Sequence, residues 1–114
     1  MESIEDDDNL TVVVFTSRNP EFFLAHYDTE RDPAKTVTMP PGPTGMQPWL
    51  DLTARLIRAP VVSIASIRGR ARGAGSEFIV ACDIRMAGDK AILARFEVAT
   101  ESCPGAARWH ACLD

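Results

Sequence analysis

The sequence predicts an α/β fold, and three features predict it. The segment "LTVVVFTS" (10–17) is a near-continuous Val/Phe run, as in a parallel-sheet strand buried on both faces. "PWLDLTARLIR" (48–58) puts Trp49, Leu52 and Leu56 on one helical face, and the apolar strand "VVSIASI" (61–67) follows it. The chain then runs through glycines into a short helix, "SEFIVAC". Strand and helix periods alternating over 114 residues make at most one domain with a modest core.

The elements follow in order. After the first strand, "RNPEFFLAHYD" turns at Asn19-Pro20 and carries two phenylalanines and a polar tip. Residues 29–46, with "TMPPGPTGM", hold too much Pro and Gly for regular structure. Pro48 suits the first turn of the next helix, and Pro60 ends it. The stretch Gly69–Gly75 reads as a turn, and "IRMAG" and "AILA" as two short strands separated by "GDK". Arg68, Arg70 and Arg72 alternate, so an extended backbone would put them on one face as a solvated edge.

Composition narrows the function. The chain is 46% hydrophobic and 25% charged, with a net charge of −4 and its acid gathered in "ESIEDDDN". That argues against a nucleic-acid partner. No apolar stretch reaches membrane-spanning length, and the acidic start resembles no secretion or transit signal, so a cytoplasmic location is expected. "NLT" at Asn9 is then a chance match to a glycosylation acceptor. Cys82, Cys103 and Cys112 are an odd, irregular set and read as free thiols, with Cys82 a core thiol. Neither His26 nor His110 stands at zinc spacing to them, so no metal site is expected.

The glycine turn carries the candidate chemistry. A strand passing through Gly73 and Gly75 into a helix leaves backbone N–H groups unpaired at a positively polarised end. If negative charge develops there only during a reaction, the turn is an oxyanion hole. Glu77 would repel a phosphate but suits proton transfer beside a polarised carbonyl. "GRARGAG" is not the dinucleotide fingerprint, and no Lys-Ser/Thr follows to make a P-loop. On pattern alone, a packing turn with a solvated Glu77 and a catalytic turn both remain open.

The stretch "APVVSIASIRGRARGAGSEFIVACDIRMAGDKAILARFEV" resembles the core signature of the enoyl-CoA hydratase/isomerase, or crotonase, superfamily, and "VVVFTSRNPEFFLAHYD" resembles its upstream segment. The resemblance covers 10–98, after an acidic segment at 1–9, and implies a partial crotonase ββα-spiral core truncated at both ends. It implies that Glu77 and Glu97 are the two catalytic carboxylates, sharing one water in the hydration of a trans-2-enoyl-CoA to a 3-hydroxyacyl-CoA. The backbone N–H groups of Tyr27 and Ala74 would form the oxyanion hole, with Ala25, His26, Asp28, Gly73 and Gly75 lining the substrate. The partner is an acyl-CoA thioester, and no cofactor is expected beyond the substrate's own coenzyme A. Other reactions of the scaffold, such as double-bond isomerisation, stay open, as does a non-catalytic acyl-CoA-binding remnant.

Two substitutions depart from the family pattern. Ala74 stands where a Gly is customary, and His26-Tyr27 replaces a small Gly-Ala pair. From residue 99 the tail "ATESCPGAARWHACLD" is unlike the family. Codons compatible with it can spell the family's Pro-Gly-Gly-Gly loop in another frame, so a frameshift is the expectation for 99–114. The helices by which the family trimerises would then be absent. Ser102, His110 and Asp114 are triad residue types, but they sit in this tail without a scaffold.

Overall fold

The chain lays its strands alternately into two sheets. A computed structural model describes residues 1–25 and 39–94. In order these form α1 (Glu2–Glu5), β1 (Val12–Phe15), β2 (Phe22–Leu24), α2 (Pro48–Arg58), β3 (Val62–Ile67), β4 (Arg70–Arg72), α3 (Ala74–Ala81), β5 (Ile84–Ala87) and β6 (Ile92–Ala94). One sheet has the order β1-β3-β5 and the other β2-β4-β6, with every pairing parallel. Each pass through strand, strand and helix therefore adds one strand to both sheets, which is a ββα spiral.

Local sequence explains most of these elements. The side chain of Asn19 closes the turn before β2, its Oδ1 accepting from the N–H groups of Glu21 (2.9 Å) and Phe22 (3.1 Å). Pro48 opens α2, where its missing N–H costs nothing. In β3 the residues Ser63, Ala65 and Ile67 alternate onto the buried face. Ala65 and Ile67 join Leu56 of α2 and Ile79 of α3 in a core that also holds Phe23, Ala71 and Cys82.

Two expectations need correction. β1 is not buried on both faces, since Val12 and Val14 are 47% and 56% exposed. Among the described residues nothing covers that side of the sheet, so a Val-rich run marked strand propensity without double burial. Within Gly69–Gly75, residues 70–72 are a strand instead of a turn. β4 exists because β2 and β6 pair with it on either side, and its local sequence shows no strand preference. Because β4 is the central strand, Arg70 and Arg72 form no edge but share its exposed face, with Arg68 exposed before the strand, while Ala71 is fully buried. Arg70 lies over the Phe22 ring at 5.9 Å.

Carboxylates pin the surface loops. Asp51, buried on α2, accepts from the N–H (2.9 Å) and Oγ1 (2.7 Å) of Thr44 and pairs with Arg55 at 3.3 Å. At Gly42 a Cβ would lie 2.1 Å from the Asp51 carboxyl carbon, so a side chain there would displace this carboxylate from its bonds. Arg55 also holds Glu5, so the acidic N-terminal segment is tied to α2. Asp83 accepts from the N–H (2.8 Å) and Oγ (2.7 Å) of Ser63, and its own N–H donates back to that Oγ (3.0 Å). This reciprocal box locks the start of β5 beside β3.

Hydrogen bonding from the Thr44 N–H holds the Asp51 carboxyl below the ordinary range. The Ser63 N–H does the same for Asp83, and the Arg55 guanidinium for Glu5. Carboxyls lowered in the folded state add stability above their unfolded values and lose it as pH falls through the folded ones. The melting temperature should therefore hold from neutrality to about pH 5 and drop below about pH 4. Thermal melts of the wild type and Asp51→Asn across this range test it. The variant should melt lower at neutral pH and show a shallower acid limb.

Candidate active site

The site begins where β4 hands over to α3. Gly73 takes φ +51° and ψ −119°, a conformation that strains any residue with a Cβ. Its N–H donates to the carbonyl of Ala94 in β6 (3.1 Å), and its own carbonyl accepts from the Glu77 N–H (3.0 Å), the first bond of α3. Ala74 is thus the first helical residue, where an ordinary side chain is at ease. This explains how Ala can stand at a customary glycine position. The Ala74 N–H has no acceptor among the described residues, as expected for a donor in a first helical turn.

Gly75 sets the distance to the neighbouring sheet strand. A Cβ on it would lie 2.3 Å from the Leu24 carbonyl oxygen, so α3 starts in direct contact with the end of β2. Ala25, exposed and next after β2, is brought beside the turn by this approach. The Ser76 Oγ lies 2.9 Å from the carbonyl oxygens of both Ala71 and Ala94 and donates its proton to one at a time. Helix α3 is thereby tethered to β4 and β6.

Glu77 is the functional side chain of this turn. It is only 5% exposed, and its Oε2 accepts a 2.7 Å hydrogen bond from the indole Nε1–H of Trp49 on α2. Trp49 lies beside Phe78 (centroids 6.5 Å apart), and Phe78 packs edge-on against Phe15 of β1 (4.9 Å). The reading of Glu77 as a solvated surface charge is therefore wrong. It is a buried carboxylate in the first turn of a helix whose leading N–H has no acceptor among the described residues.

Of the residues expected at the site, Glu77, Ala74, Gly73, Gly75 and Ala25 are brought together. Glu97, Tyr27, His26 and Asp28 lie outside the described residues, as do Cys103, Cys112 and the 99–114 tail. Trp49 is the residue that sequence reasoning missed, having counted only its apolar face. The available signal was the indole N–H, which needs an acceptor when it faces a protein interior. The "ACDIR" segment is structural. Arg85 Nη1 donates to the Cys82 carbonyl (2.9 Å) and so caps α3, while burial pushes the Cys82 thiol up to about 11 and leaves it unreactive.

A two-sheet ββα spiral whose glycine turn presents helix-end donors beside a buried glutamate defines a crotonase-type protein. Residues 1–110 match the family model described as enoyl-CoA hydratase/isomerase, and the chain belongs to that family. It is 31% identical over 104 residues to the mouse mitochondrial enoyl-CoA hydratase domain-containing protein 2, covering 90% of this chain and 34% of the mouse protein. A 40-residue segment is 45% identical to zebrafish ethylmalonyl-CoA decarboxylase, covering 35% of this chain and 13% of that protein. The crystal structure of enoyl-CoA hydratase from Bacillus anthracis superposes with a TM-score of 0.74 at 26% identity, over 91% of this chain and 40% of that one. The chain thus spans about a third of the mouse protein's length.

The contact between Gly75 and β2 generates a prediction. Gly75→Ala forces its methyl group into the Leu24 backbone and should cost about 1–3 kcal/mol by overpacking. Chemical denaturation reads this as a lower midpoint with an unchanged slope. An unaltered midpoint would show that β2 and α3 do not meet this closely.

Proposed function

We propose that this chain carries the catalytic half-site of an enoyl-CoA hydratase acting on a trans-2-enoyl-CoA. The observation behind this reading is Glu77, a buried carboxylate one turn into a helix whose leading N–H has no partner among the described residues. Glu97 is its proposed second carboxylate, and the N–H groups of Ala74 and Tyr27 are the proposed donors to the thioester oxygen. Water's oxygen bonds to C3 as one of its protons goes to Glu77. The C2=C3 electron pair moves through the thioester, whose oxygen gains enolate-like charge against those two donors. Glu97 then gives its proton to C2, and a proton passed from Glu77 to Glu97 restores the pair. Ala25, His26, Asp28, Gly73 and Gly75 are assigned to the acyl-CoA wall. Coenzyme A arrives as part of the substrate, and the reaction calls on no separate cofactor.

The short zebrafish decarboxylase match supports a second reading, in which the scaffold runs another acyl-CoA reaction through the same enolate-like intermediate. A third reading is a protein that binds acyl-CoA without turnover. The cytoplasm is the proposed location. No described helix is long and apolar enough to cross a membrane, and the mouse relative's name places that protein in mitochondria.

Crotonyl-CoA hydration, followed by loss of the enoyl-thioester absorbance, separates these readings. Under the hydratase reading, Glu77→Gln and Glu97→Gln each lower kcat by about 10²–10⁴-fold. Turnover that survives both substitutions would refute the carboxylate pair. Coenzyme A thioester binding without turnover would favour the third reading.

A further inference from the structure

Trp49 touches the proposed catalytic carboxylate from a different helix, and its chemistry is one-sided. An indole N–H donates and never accepts, so the 2.7 Å contact fixes Glu77 Oε2 as an acceptor. The indole plane is itself set, because Trp49 lies beside Phe78 and Phe78 is wedged edge-on against Phe15. Pro48 and the Gln47–Asp51 backbone bond (2.9 Å) fix the first turn of α2, which carries Trp49. The Ser76 tether and the Gly73–Glu77 bond fix the first turn of α3, which carries Glu77. Two rigid helical turns thus meet through one charge-assisted hydrogen bond.

We propose that Trp49 is a positioning residue that occupies Oε2 of Glu77, leaving Oε1 as the oxygen that takes and gives the catalytic proton. This rests on the reading of Glu77 as the hydratase base. Without the indole, the carboxylate can rotate and present either oxygen, and the fraction of productive geometries falls. Substrate contacts are untouched, so the effect belongs in kcat and not in KM.

Two measurements test this. In the ¹H–¹⁵N spectrum, Trp109→Phe leaves the indole signal of Trp49 alone and so identifies it. Glu77→Gln should then move the Trp49 signal upfield, as a charge-assisted bond becomes a neutral one. In crotonyl-CoA hydration, Trp49→Phe should lower kcat about tenfold to a hundredfold with KM unchanged, a smaller loss than that of Glu77→Gln. An indole signal that ignores Glu77→Gln overturns the proposal even where turnover is undetectable or Trp49→Phe fails to fold. Trp49→Phe with full kcat beside an inactive Glu77→Gln also overturns it and leaves the Glu77 reading standing. Full activity in Glu77→Gln removes the hydratase reading itself, and the positioning role with it.

Discussion

The Leu24 carbonyl oxygen occupies the space where a side chain at residue 75 would begin. That contact brings the end of β2, in one sheet, against the first turn of α3. Everything at the site depends on it. Only with β2 and α3 this close can Ala25 stand beside the turn whose Ala74 N–H has no acceptor among the described residues. Gly69 repeats the device one strand earlier, where a Cβ would lie 2.5 Å from the Glu21 carbonyl. Two glycines therefore set the spacing within the second sheet and from that sheet to α3, in both cases against backbone that cannot yield.

Polar groups inside this framework divide into two kinds. Asp51, Ser63, Ser76 and Asp83 are each satisfied by nearby backbone or hydroxyl groups, and each joins two segments: loop to α2, β3 to β5, or α3 to its strands. Their work is structural, and unpaired burial would be costly. Glu77 differs. Among the described residues its carboxylate has one partner, Trp49, on one oxygen. With one oxygen free among the described residues, this carboxylate is the group on which the proposed proton transfer rests.

Much of this was legible because local rules and tertiary demands agreed. Pro48 and Pro60 bracket α2, and the helix spans Pro48–Arg58 as its apolar spacing predicts. The family resemblance rested on two segments in order, one of them holding the glycine turn, and the ββα spiral and the family match both bear it out. Glu77 was legible as a candidate because its place after Gly73 and Gly75 is a matter of sequence spacing. Where local preference and tertiary need diverged, the reading failed. β4 is made of Arg-Ala-Arg and is a strand because neighbours on both sides supply its hydrogen bonds. β1 is rich in valine, yet the described structure leaves one of its faces open.

Local patterns along the chain settled the α/β class, the limits of α2, the passage through Gly73 and Gly75 into a helix and the identity of the carboxylate beside it. These follow from periodicity, from backbone freedom and from proline, which act over a few residues. Only the packed fold buries Glu77, lays Trp49 against it from 28 positions away and sets Asp83 on Ser63 to join β5 to β3. The physical reason is range. A hydrogen bond between side chains on two helices depends on where both helices stand, and their positions come from close backbone approaches such as that of Gly75 to Leu24, which no local pattern encodes.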